Sequence, residues 1–249
     1  MIAADDIVQP SQQCASGVTV AIHQPNYIPW AGYFAKMRAC DVFVFLDDVQ
    51  MPSRGNYVSR VLVPGASEPK WLSVPVNFKP GDRISEVRLA DKGFAKKHLG
   101  TLRSLYARSP YFKQVFGLLE PLYSEPGDPL GAFNMAVVEA IAGYLQMTCR
   151  FEKSSVLKPE GESDDRLISL ARLVGADTYV SGKGGQNYQD PAKFAATGIG
   201  LDVRVYKPVA YDQHRTDFGP GLSIVDALFN LGPAAVEILK YPALDDAQA

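Results

Sequence analysis

Apolar and polar positions along this chain change their spacing several times, and each change predicts a different kind of element. The run "GVTVAI", residues 17–22, is short, β-branched and uninterrupted, and it predicts a strand that stops on His23. "GYFAKMRAC", residues 32–40, carries apolar residues at helical spacing behind Pro29. "DVFVFLDD", residues 41–48, is apolar almost throughout before it turns acidic. The prediction is strand, helix, strand. Strands without a polar face are buried on both sides, the habit of parallel sheets covered by helices. After Asp48 the runs become short and alternating: "NYVSRVLV" and "KWLSVPV", separated by the turn "PGASEP", and then "ISEVRL". These predict an antiparallel insertion over about residues 50–90. Three helical stretches follow at 94–107, 111–123 and 130–147, divided by "RSP" and "SEPGDP".

The strand and helix rhythm then returns. "CRFEKSS" reads as a strand, "DDRLISLARLVG" as an amphipathic helix closed by a glycine, and "DTYVSG" and "LDVRVYKP" as two more strands. A last helix is expected from Ser223, an N-cap with Asp226 at the third helical position, through "IVDALFNLG". The predicted class is α/β, a mostly parallel open sheet flanked by helices, with a small antiparallel β insertion and a helical insertion. One domain is expected over residues 18–242, its helical insertion at about 94–147, with flexible tails at 1–17 and 243–249.

Composition narrows the picture without naming a partner. The 249 residues are 47% hydrophobic and 21% charged, values of an ordinary globular protein rather than of a disordered or fibrous one. A net charge of -2 creates no general field for nucleic acid or anionic lipid, so any anion site must be local. Basic residues are scattered rather than striped, which argues against a nucleic-acid partner. Cys14, Cys40 and Cys149 have neither a C-x-x-C nor a Cys/His spacing, so neither a disulfide frame nor a zinc site is expected and a reducing cytoplasm fits best. Cys149 opens an apolar strand and reads as a small buried hydrophobe rather than a nucleophile. No apolar run approaches the roughly 20 residues that span a bilayer, and no membrane partner is expected. The N-terminal segment carries acids where a signal peptide would carry a basic start.

In an open α/β sheet, ligands bind beyond the carboxyl ends of the strands. The predicted parallel strands end on His23 and Gln24, on Asp47 and Asp48, on Ser154 and Ser155, and on Ser181, Gly182 and Lys183. All are groups that move a proton or hold an ion, although polar residues also collect at strand ends for reasons of turn geometry alone. His23 is the candidate proton acceptor. Asp47 and Asp48 are neighbours whose side chains would point to opposite faces of a strand, so one would face ligand, through Mg²⁺ in one reading, while the other caps. "SGKGGQNYQD", residues 181–190, is the anion-cradle candidate: its glycines let backbone N–H groups approach, Lys183 adds a charge, and Tyr188 could stack. It lacks the spacings of the P-loop and of the dinucleotide fingerprint. Arg54 and Arg60 are candidate anion clamps, and His214 sits on a loop near the final helix. Trp71 is expected in core or hairpin packing, and His98 on a solvated helical face.

"IHQPNYIPWAGYFAKM", "DVFVFLDDVQ", "WLSVPV", "YVSGKGGQNY" and "FGPGLSIVDALFNLG" together resemble the WbqC-like family of bacterial proteins over about residues 19–232. The resemblance implies a setting in O-antigen or specialised-metabolite biosynthesis. It also implies importance for His23, Gln24, Pro25, Tyr27 and Pro29, for Asp47, Asp48 and Arg60, for Ser181, Gly182 and Tyr188, and for Ser223 and Asp226. In "YKPVAYDQ" this chain has Lys207 where the family often has a histidine before the proline. A more distant likeness is to nucleotidyl-transfer proteins, in which H-x-G-H or H-x-G-N binds triphosphate; His23 and Asn26 would occupy those positions, with Pro25 replacing the glycine.

Three functions compete. The first is an enzyme that forms an amide by acyl or aminoacyl transfer to an amine of a sugar nucleotide or metabolite. In it His23 is general base, oriented by Asp47 or Asp48; Gln24, Asn26, Tyr27, Arg60, Ser154, Ser181, Gly182, Lys183, Tyr188 and His214 contact substrate, and the glycine loop holds the oxyanion. The acyl donor would ride on coenzyme A or a carrier protein, no metal or cofactor is required, and the apolar face "ALFNL" would suit a homodimer. The second is ATP-dependent adenylyl transfer with Mg²⁺. The third is a non-enzymatic binding or scaffold protein in which the first motif is a structural turn.

Overall fold

A computed structural model describes residues 17–53, 57–187, 189–214 and 218–241. Arg54, Tyr188, Cys14 and nearly all of both tails lie outside these residues. In chain order, β1 is Thr19–His23, α1 Ala31–Arg38 and β2 Val42–Phe45. The inserted segment follows, with β3 Arg60–Val63, β4 Lys70–Ser73, β5 Val76–Asn77, β6 Arg88–Leu89, α2 Phe94–Tyr106, α3 Phe112–Ser124 and α4 Leu130–Tyr144. The sheet resumes with β7 Arg150–Lys153, α5 Ser154–Leu157, α6 Ser163–Leu173, β8 Thr178–Gly182, a 3-10 turn Lys183–Asn187, α7 Pro191–Ala196 and β9 Gly200–Arg204. Helix α8, Ile224–Leu231, lies near the end.

The sheet is five-stranded and parallel throughout, in the order β7-β2-β1-β8-β9. Counting only its own strands along the chain, that order is third, second, first, fourth, fifth: the doubly wound arrangement. Its topological switch point falls between β1 and β8, where successive connections run in opposite directions and leave a crevice. Alternate residues of each strand face opposite ways. Ala21, Phe43, Phe45 and Val180 join the larger core with α1, the three inserted helices and α8. Val20, Ile22, Val42, Val44 and Tyr179 join a smaller core with Ile168 of α6 and Phe194 of α7. Both faces are therefore covered, as the unbroken apolar strands predict.

The inserted segment is antiparallel where it is strand: β3 pairs with β4, and β5 with β6. "ISEVRL" is only partly strand, because Ile84–Glu86 forms a 3-10 turn. The reason is local: the Ile84 and Ser85 N–H groups bond the carbonyls of Val49 and Asp47, which ties the segment across the end of β2. Helices α5 and α7 are absent from the sequence reading, being too short to show a period, although α7 carries an N-cap, Asp190, followed by Pro191. Trp71 is 43% exposed on its hairpin, under the Arg60 guanidinium, and is not core. His98 is not on a solvated face; it is buried. Ser223 caps α8 as expected, accepting from the Val225 N–H. The apolar face of α8 is spent inside the chain: the Phe229 ring stacks on Tyr106 at 4.4 Å and on Phe112 at 6.0 Å, so it offers no surface to a second copy.

Candidate functional site

The segment after β1 is clamped from three sides. Asn134 of α4 donates its amide to the carbonyls of Pro25 and Val58, the Tyr27 N–H bonds the Tyr57 carbonyl, and the Ser223 hydroxyl donates to the Ile28 carbonyl at 2.6 Å. Ile28 sits at φ 30, which is costly for a β-branched residue, and these clamps are what hold it there. They aim the segment so that His23, Gln24 and Trp30 border a cleft of about 680 Å³ at the β1/β8 switch point. The other wall is the end of β8 and its turn, with Ser181, Gly182, Lys183, Gly184 and Gly185.

His23 is half-buried, its ring packed 4.7 Å from that of Tyr33. Nδ1 lies 3.1 Å from the Gln24 carbonyl oxygen. A carbonyl can only accept, so Nδ1 carries the proton and Nε2 keeps its lone pair. Desolvation first, and the neighbouring Lys36 ammonium second, push the His23 pKa down to about 3, so the ring is neutral at any physiological pH. The orienting partner is thus the Gln24 carbonyl, which also accepts from the Tyr33 hydroxyl, and not a carboxylate.

Asp47 and Asp48 are engaged elsewhere. Asp47 is buried, accepts from the Ser155 N–H at 3.0 Å and the Ser155 hydroxyl at 2.7 Å, and donates its own N–H to the Ser154 hydroxyl oxygen at 3.1 Å. It therefore stitches the end of β2 to the start of α5. Asp48 accepts from Ser154 at 2.5 Å and pairs with Arg166 of α6 at 2.5 Å. Hydroxyl and guanidinium donors occupy these oxygens, which does not suit a magnesium site. No group of three or more metal-ligating side chains occurs among the described residues.

The remaining candidates divide in the same way. Ser181, whose hydroxyl bonds the Gln189 side chain at 2.7 Å, and Gly182 and Lys183 line the cleft. Asn26 is buried outside the lining. Tyr27 is fully buried, its hydroxyl 2.7 Å from both His98 Nδ1 and the Tyr123 hydroxyl, which makes it a strut between the first motif and the inserted helices. Arg60 lies on the β3–β4 hairpin, Ser154 belongs to the aspartate corner, and His214 is exposed and paired with Asp212. Tyr188 lies outside the described residues.

The structure adds groups that sequence reading missed. Lys36 of α1 is buried in the cleft, donates to the Ile22 carbonyl at 2.8 Å and sits 5.5 Å from the Tyr179 ring centre; burial pushes its pKa down to about 8. The only trace in the sequence is a lysine interrupting an apolar helix. Arg166 and Arg204 also line the cleft, as do Trp30, Tyr206 and Tyr241, whose rings meet edge to face. Nothing local marks these residues, since separate segments bring them together.

A doubly wound sheet with a cleft at its switch point places the protein in the α/β class. The chain belongs to the WbqC-like protein family, which matches residues 24–238. An uncharacterized protein of Mycobacterium tuberculosis, Rv1507c, is 32% identical over 228 residues, 89% of this chain and 97% of that protein. No solved structure matches. Among the described residues no helix is long and apolar enough to cross a membrane.

Proposed function

We propose that the protein is a biosynthetic enzyme that forms an amide by acyl or aminoacyl transfer to an amine, with His23 as general base and the turn after β8 as the oxyanion site. The observation that carries this reading is the His23 ring: a neutral imidazole at the switch point, held by Nδ1, with an available Nε2 lone pair in an open cleft. The amine nitrogen attacks the acyl carbonyl of a thioester, forming the C–N bond and moving the carbonyl electron pair onto oxygen. Backbone N–H groups at Gly184 and Gly185 receive that charge. The nitrogen, now positive and acidic, gives its proton to His23 Nε2. The oxyanion collapses, the C–S bond breaks, and the thiolate leaves with the proton. A ring of such low basicity releases a proton readily, which suits the second half of this cycle more than the first. Ser181 and Lys183 border the substrate. Asp47, Asp48 and Ser154 act as positioning residues, setting the end of β2 and the Arg166 guanidinium.

The test is thiol release from a panel of acyl thioesters offered with amine acceptors. General-base help contributes roughly a hundred- to ten-thousand-fold, most when the base titrates near the working pH; for a ring whose pKa is held at about 3, His23→Ala is expected to lose about a hundredfold in turnover while its melting temperature stays within a few degrees. A fully active His23→Ala protein overturns the role given to His23, and absence of amine-dependent thiol release by the wild type overturns acyl transfer. Acid-dependent exchange of pyrophosphate into ATP, with no thioester turnover, would replace it with adenylyl transfer.

A further inference from the structure

Four cationic side chains line the cleft, Lys36, Arg166, Lys183 and Arg204, and no carboxylate does among the described residues. Arg166 is neutralised by Asp48 and Arg204 by Asp202. Lys36 and Lys183 have no carboxylate partner among the described residues, and Lys36 is only 7% exposed. The titratable groups packed around Lys36 are His23 on β1, Tyr179 on β8 and Cys40 just past α1, none of them an anion at neutral pH. A buried ammonium facing only a carbonyl and a ring is expensive to keep, and a counterion from outside would relieve the cost.

We propose that this cleft holds a phosphoryl group carrying about two negative charges, between the buried Lys36 and the exposed Lys183, so that the protein's substrate or acyl donor is a phosphate ester. Two uncompensated cations match a phosphate or diphosphate, whereas a carboxylate would answer only one. The glycine turn fits this role. A Cβ at Gly185 would lie 2.2 Å from the Ser181 hydroxyl and 2.3 Å from the Gln189 side chain, so that backbone is pressed against β8. At Gly182 and Gly184 nothing stands within 4 Å of a Cβ, which leaves the chain open to an oxyanion. Trp30, Tyr206 and Tyr241 offer flat surface to the rest of the ligand, and about 680 Å³ is ample for one. This inference rests on the cleft being the substrate site, as proposed above, and not on acyl transfer.

Calorimetric titration of the full chain with pyrophosphate, uridine diphosphate, coenzyme A and, for contrast, acetate is the test. At least one phosphate probe is expected to bind with a Kd below about 1 mM while acetate does not. Preference for the nucleotide or for coenzyme A identifies which source supplies the group. Lys36→Gln should weaken binding about tenfold or more and Lys183→Gln a few-fold, whereas Lys113→Gln on the exposed side of α3 changes nothing. At pH 8 the wild type should take up protons on binding, because the anion returns Lys36 to its ammonium form; a merely structural lysine would not. Absence of binding by every phosphate probe, equal binding by Lys36→Gln, or acetate binding as well as pyrophosphate overturns the proposal. Acyl transfer that survives without phosphate binding removes this inference alone. Phosphate binding with no thioester turnover by the wild type removes the transfer reading alone.

Discussion

Two corners at the same end of the sheet carry similar residues and differ in one respect. At the end of β2, Asp47 and Asp48 meet Ser154, Ser155 and Arg166, and every carboxylate oxygen is answered by a donor within the chain, although Arg166 Nε is buried without a partner among the described residues. At the ends of β1 and β8, His23 keeps a lone pair while Lys36 and Lys183 lack carboxylate partners among the described residues. A buried polar group left unanswered costs more than a satisfied one returns. On the reading proposed above, the corner whose cations lack counterions is the one that takes a ligand. Polar residues at a strand end are therefore not by themselves a site; their state of satisfaction distinguishes a joint from a cleft.

Mutations can test this contrast directly. The largest separation is between activity and stability. His23→Ala should lose turnover by the factor given above at little cost in stability, while Asp47→Ala, which strands the N–H and the hydroxyl of Ser155, should cost about 2–4 kcal/mol in urea unfolding. If both variants lose activity and keep full stability, the joint and the cleft are one site and the comparison fails. Next comes acid sensitivity, which links the cleft to the strut beneath it. The His23 pKa lies at about 3 and that of His98, buried against Tyr27, at about 4, both driven down by desolvation. Between pH 6.5 and 5 the unfolded chain binds protons at these rings that the native state refuses, so stability falls as pH falls, by up to about 1.4 kcal/mol per pH unit for each ring. Urea midpoints at pH 7, 6 and 5 measure this; a flat profile would mean that both rings are hydrated. Smaller again is the effect of Lys36→Met, which removes an unanswered buried charge and should raise stability at pH 7 by about 1–3 kcal/mol, in the opposite direction to Asp47→Ala. A destabilised Lys36→Met would place the lysine among the joints.

The first motif shows how far a sequence carries and where it stops. Its histidine, prolines and aromatics look like one functional cluster, yet the structure divides them: His23, Gln24 and Trp30 border the cleft, while Tyr27 and Ile28 are buried struts. Strand β1, helix α1, strand β2 and the N-cap at Ser223 were legible because each depends on local period and capping chemistry. Alternation within β3 and β4 likewise announced an antiparallel hairpin.

The sequence by itself therefore determined the α/β class, the parallel strands buried on both faces, the insertion between β2 and β7, and the polar groups that close four of the five parallel strands. Tertiary structure decided the strand order, hence the switch point, and with it which strand ends open onto a common cleft. It also decided that Lys36, Arg166 and Arg204 line that cleft, and that Asp47 answers serines rather than the imidazole. The physical reason is that period and capping act over a few residues, whereas the satisfaction of a charge depends on partners about a hundred residues away, such as Ser155 for Asp47, which only folding brings within reach.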